Sequence, residues 1–148
     1  VDLKRTSATT FICNVEDTPY ENNYFDEVIA IGLLDYSHPD NTIKEAFRVL
    51  KKGGSLRIMV PNRNCPYHMV SGIFGLRKDK RRFILGEMTS LLRENGFGIR
   101  YITIRGACFY IPTKWLQDIM IPVYKMFDNA FGDDFGNNIY IRAEKQQV

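Results

Sequence analysis

The chain has 148 residues, of which 45% are hydrophobic, 13% aromatic and 25% charged, and its 20 Lys+Arg against 17 Asp+Glu leave a net charge of +3. This is the composition of one folded domain, long enough to bury a core without disulfide or metal staples, and it excludes intrinsic disorder. No apolar run is long enough for a spanning helix, and so small a positive charge leaves no footprint for nucleic acid. Cys13, Cys65 and Cys108 lie far apart, as do His38 and His68, and none has zinc-like spacing. With no secretory signal visible, the expectation is a cytoplasmic protein with reduced thiols, no metal, no nucleic-acid partner and no stable membrane insertion.

Taken in order, residues 9–15 form a β-branched and aromatic run read as a strand, followed by a polar loop over 16–24. Residues 25–34, FDEVIAIGLL, become continuously apolar, as in a strand covered on both faces. The strongest helix lies over 39–52. Pro39 suits its first position, Asp40 its positive end, and Ile43, Ala46, Phe47 and Leu50 form one stripe. Lys51 and Lys52 would fill its last turn and Gly53 would cap it. Residues 55–60 are then a strand ended by Pro61. Strand, helix and strand with a crossover of this length make a right-handed βαβ unit, so the class is α/β.

Beyond Pro61 the pattern loosens. Residues 62–75 mix aromatic and polar side chains, and residues 77–82 carry a basic run. Ile84, Met88, Leu91 and Leu92 have helical spacing, ended by Asn95-Gly96. Residues 98–105 read as a strand, 112–131 as helical with a break at Pro122, and 138–143 as a last strand. The short connection makes antiparallel pairing of the last strand with 98–105 the expected arrangement. No repeat or internal boundary divides the chain, so residues 1–148 are read as one domain.

Within residues 13–54, Pro19-Tyr20, Phe25-Asp26 and the ordered set Glu45, Arg48, Val49, Leu50, Lys51, Gly53 and Gly54 resemble the second half of the class I S-adenosylmethionine-dependent methyltransferase domain, in its type 11 form. The resemblance implies a Rossmann-like, mostly parallel sheet with a reversed last strand, in the order 3-2-1-4-5-7-6. The segment ENGFGIRYITI would be strand six and NNIYIRAEK strand seven. It also implies substrate-recognition insertions over 62–80 and 106–136, S-adenosylmethionine as cofactor and a small-molecule acceptor. The family's glycine-rich first turn has no counterpart in the sequence, and residues 1–4 resemble the end of strand two. The expectation is therefore a domain lacking its central first strand, completed by upstream chain, by a partner chain or by a homodimer. The alternative is a non-catalytic half-domain acting as a binding or regulatory subunit.

For the cofactor, the resemblance points to Asp2 on the ribose hydroxyls, to Asn14 and the Val15 amide on adenine, and to Glu16 as a substitute acid beside Asp17. Ile31 and Gly32 would present backbone near the sulfonium, with Leu33 or Leu34 near adenine. Asn14 also reads as a plain turn residue, and the leucines as core. His38 and His68 are the candidates for proton transfer, although His38 equally suits a helix N-cap. Asn62, Tyr67 and His68 are candidates for touching the acceptor. The 77–82 run suits a phosphate-bearing or carboxylated substrate, an anionic membrane surface or a solvated face, and 115–127 an apolar lid, a dimer face or core.

Overall fold

The computed structural model describes residues 13–65, 81–106 and 136–146 and, within 118–130, residues 118, 119, 121–123, 125, 126, 129 and 130. Asp2, Tyr67 and His68, most of both expected insertions and most of the basic run lie outside these residues.

The described elements run β1 (Phe25–Ile31), α1 (Pro39–Val49), β2 (Leu50–Pro61), α2 (Leu85–Glu94), β3 (Phe97–Arg105) and β4 (Asn138–Lys145). They form one four-stranded sheet in the order β1-β2-β4-β3. β1 pairs with β2 in parallel, and β4 runs antiparallel to both β2 and β3. This is the 4-5-7-6 end of the order implied by the resemblance. The last strand does more than pair with β3, since it inserts between β2 and β3. Along its free edge, β1 makes no strand pair among the described residues.

Period-two alternation assigns the two faces of the sheet. Ala30, Leu56, Ile58, Val60, Ile139, Ile141 and Ala143 join Ile43 and Ala46 of α1 and Met88 and Leu92 of α2 in one core. On the other face Ile29, Ile31, Arg57, Tyr101 and Arg142 are exposed. Among the described residues β1 is therefore covered on one face, where its apolar run predicts cover on both.

Two boundaries also differ from expectation. α1 ends at Val49, not at residue 52, and Leu50 already has extended backbone paired with Phe25. Lys51, Lys52 and Gly53 lie in the irregular start of β2, where the register shifts between Phe25 and Glu27. The carbonyls of Phe47 and Leu50 accept instead from Lys145 Nζ, both at 2.7 Å. The chain can leave the helix at once because a lysine 95 residues from Leu50 satisfies the last turn. In the expected strand over 9–15, Asn14 and Val15 belong to a turn closed between Asn14 and Asp17.

Candidate functional site

The register sets the carboxyl ends of β1, β2 and β3 and the start of β4 along one edge, with Ile31 beside Met59 and Pro61 and Arg105 both opposite Asn138. In open α/β sheets this is the edge at which ligands bind. Gly32 extends β1 by one bond, its N–H donating to Met59 O at 3.1 Å. Its φ of +59° is left-handed, and a Cβ there would meet no atom within 4 Å. Gly32 thus bends the chain away from the sheet and leaves its backbone open to close approach. Ile31 beside it is exposed.

Next to β1, an apolar cavity of about 220 Å³ is lined by Val15, Tyr20, Val28, Ile29, Leu33 and Ile43, among others. The structure therefore brings Val15 and Leu33 together. It does not bring Asn14 and Ile31 into the same cavity. Asn14 is exposed, and its Oδ1 accepts the Glu16 N–H at 3.0 Å within the 14–17 turn.

Two carboxylates hold the 14–22 segment on α1. Glu16 Oε1 accepts the His38 backbone N–H at 2.8 Å and lies 3.0 Å from His38 Nδ1, while Oε2 accepts from Asn41 Nδ2 at 3.1 Å. His38 is the N-cap residue, yet its own side chain makes no capping bond; Glu16, reaching in from the loop, supplies the anionic group at the dipole's positive end. The His38 N–H first, then Asn41, hold the Glu16 carboxyl below its ordinary range. One and two turns further on, Glu45 accepts from Thr18 N at 2.8 Å, Thr18 Oγ1 at 2.6 Å and Arg48 Nη2 at 2.7 Å. Arg48 also donates to Asn22 Oδ1 and to Thr18 O. The Arg48 guanidinium, with Thr18 second, brings the Glu45 carboxyl down to about 2. Glu45 and Arg48 thus fasten the loop that leads into β1, which is a structural use of the Glu-x-x-Arg spacing in the motif.

Asn62 is fully buried at the exit of β2. Its N–H donates to Asn137 O and its Nδ2 to Gly136 O, both at 2.8 Å, while its Oδ1 accepts from the Asn64 N–H at 3.1 Å. It ties the exit of β2 to the entry of β4, so the structure gives it a bracing position at the site edge. Sequence reasoning missed this network. It also missed Gly136 and Asn137 as edge residues, because nothing in their local spacing announces a contact 74 residues away.

A larger groove of about 1080 Å³ opens between α1 and α2, lined by His38, Asn41, Arg63, Phe83 and Met88 among others. Among the described residues no group of three His, Cys, Asp or Glu side chains could hold a metal, and no helix is long and apolar enough to cross a membrane.

Residues 2–58 match the family described as "Methyltransferase domain". Over 59 residues the chain is 37% identical to the 2-methoxy-6-polyprenyl-1,4-benzoquinol methylase of Caenorhabditis elegans, covering 39% of this chain and 21% of the relative. Among solved structures, a SAM-dependent methyltransferase from Thermotoga maritima aligns with a TM-score of 0.66 at 19% identity, covering 92% of this chain and 63% of that one. The geranyl diphosphate C-methyltransferase of Streptomyces coelicolor, solved with Mg2+, geranyl diphosphate and S-adenosyl-L-homocysteine, aligns with a TM-score of 0.60 at 16% identity, over 91% of this chain and 51% of its own. The chain therefore spans about a fifth of that curated relative and under two thirds of either structure. The family match falls on β1, α1 and most of β2, the elements that build the carboxyl edge, and the described sheet with its reversed β4 shares the fold of the two solved methyltransferases.

Proposed function

We propose that the protein carries out S-adenosylmethionine-dependent methyl transfer to a small-molecule acceptor at the carboxyl edge of its sheet. The observation that carries the reading is that the family match and the open backbone of Gly32 coincide at that edge. The residues present fit such a cofactor. The cavity with Val15, Ile29 and Leu33 offers apolar contact to an adenine ring, and Gly32 offers backbone where a side chain would obstruct a ligand. When bound, the cofactor supplies an electrophilic methyl group on a sulfonium. The chain's own residues then serve chiefly to position the reactants, with Ile31 and Gly32 near the reacting end, Leu33 and Val15 on the base, and Asp2 on the ribose. Proximity and alignment supply much of the rate in such a displacement, so no fixed triad is required.

Asn62 braces the edge on the acceptor side, with Tyr67 and His68 as further acceptor contacts. The relative's name makes a quinol a reasonable first acceptor to assay. Completion of the free edge of β1, by upstream chain or by a partner, belongs to the same proposal, because one wall cannot enclose a charged, polar cofactor.

Isothermal titration tests it. The 148-residue chain alone should bind S-adenosylmethionine at about millimolar or weaker, and the chain with its β1 edge completed by upstream sequence or by a partner in the micromolar range, a gain of roughly 4 kcal/mol. Absence of binding by the completed sheet would overturn the reading. Micromolar binding by the shorter chain alone would overturn the need for completion.

A further inference from the structure

We propose that Glu16 and His38 form a carboxylate–imidazole dyad whose Nε2 takes the proton from a hydroxyl group of the methyl acceptor. The inference rests on the reading of a methyltransferase given above and adds to it a catalytic residue, its positioning partner and an acceptor class.

His38 Nδ1 lies 3.0 Å and 3.2 Å from the two oxygens of Glu16. A carboxylate can only accept, so Nδ1 carries the hydrogen and the lone pair of the neutral ring sits on Nε2. That nitrogen makes no hydrogen bond among the described residues. The His38 side chain is 82% exposed while that of Glu16 is 18% exposed. The pair therefore has a covered orienting end and an open basic end, the division of labour that an acid-oriented imidazole base needs. The fold does not account for the imidazole. Helix α1 is served by the backbone N–H of His38, and an exposed side-chain pair adds little stability.

The position suits the chemistry. His38 follows β1 at the carboxyl edge, six residues beyond Gly32, and lines the groove between α1 and α2. The other charged groups facing the groove are Asp40 from α1, Arg63 after β2, Arg81 and Arg82 before α2, and Glu87 and Glu94 on α2. Asp40 is paired with Lys44 and Glu87 with Arg63, so Glu16 is the carboxylate in contact with the imidazole.

In the step itself, the acceptor oxygen forms a bond to the methyl carbon while the S–CH3 bond breaks. Sulfur keeps that electron pair and becomes a neutral thioether. The O–H proton passes to Nε2, giving an imidazolium held by Glu16, and later leaves to solvent.

The test uses the chain with its β1 edge completed as above, labelled with 15N-histidine, with S-adenosylmethionine and 2-methoxy-1,4-benzoquinol as the acceptor probe. The His38 signal, assigned by its loss in His38→Ala, should report the Nδ1–H tautomer, and Glu16→Gln should weaken that preference. His38→Ala should lower kcat by about 10²-fold or more. Glu16→Gln should give a smaller loss, with cofactor affinity kept in both variants. An Nε2–H tautomer, a His38→Ala rate within twofold of wild type, or a loss of cofactor affinity equal to the loss of rate would overturn the dyad. So would cofactor binding without turnover of the quinol. A wild-type protein that fails to bind the cofactor would instead overturn the methyltransferase reading.

Discussion

The two ends of α1 are served by opposite charges from distant parts of the chain. At the N-terminal end Glu16 accepts from the His38 and Asn41 donors, at a site open to the groove between the helices. At the C-terminal end Lys145 donates to Phe47 O, Leu50 O and Asn23 Oδ1, so all three ammonium hydrogens are placed. Both arrangements obey the helix dipole, with an anion at the positive end and a cation at the negative end. They differ in burial. Lys145 is 8% exposed, with its Nζ 4.4 Å from the centre of the Phe47 ring, whereas His38 is open to solvent. A sealed cap can only stabilise, while an open one leaves a nitrogen free for a ligand.

The largest expected effect comes from emptying the sealed end. Lys145→Met strands two carbonyls and an amide oxygen in a buried place, and should cost about 2–4 kcal/mol in urea unfolding. A loss below 1 kcal/mol would mean that water serves this end as well as it serves the other. Burial, with Lys52 second, pulls the Lys145 ammonium below the usual lysine value of 10.5. Between its folded value and 10.5 the unfolded chain binds more protons, so stability should rise with pH in that alkaline window.

Gly96 probes the same end through its ring. Its φ is +83°, and an added Cβ would lie 2.9 Å from Phe47 Cε2. Phe47 meets Phe97 edge-to-face at 5.3 Å and cannot easily retreat. Gly96→Ala should therefore cost about 2 kcal/mol or more in the same assay. Gly32→Ala, with open space around it, should cost about 1 kcal/mol from backbone strain alone and register mainly as weaker cofactor binding by the completed sheet.

Glu45 lies between the two ends and should show in acid. Its carboxyl titrates at about 2 in the fold against 4.5 unfolded. Its contribution is thus full above 4.5 and lost as the pH falls towards 2. Arg48 is 34% exposed, so solvent screening limits the effect to about 1–2 kcal/mol. Acid unfolding of Glu45→Gln should lack this component, and an unchanged acid limb would show that Arg48 does not hold the charge.

The smallest effect is expected at the open end. His38→Ala should change stability by no more than about 0.5 kcal/mol, because the backbone N–H that Glu16 accepts remains in place. A larger loss would make the imidazole a structural group and blur the contrast between the two ends.

The sequence by itself determined the βαβ unit, the start of α1 at Pro39, the stop of α2 near Asn95-Gly96 and the antiparallel last strand. Each of these rests on side-chain period, Pro, Gly or Asn within a short window, and such signals survive without tertiary context. The edge at which Gly32 and Asn62 follow β1 and β2 came from the same topology. Only the tertiary structure decided where α1 ends, since Lys145 replaces the expected Gly53 cap across 98 residues from Phe47. It also decided that Glu16 serves His38 and Asn41 from 22 and 25 residues away, and that Asn62 is a buried brace at the site. Hydrogen bonds and charge pairs act over a few ångströms in space, and no spacing along the chain encodes which distant donor will arrive there.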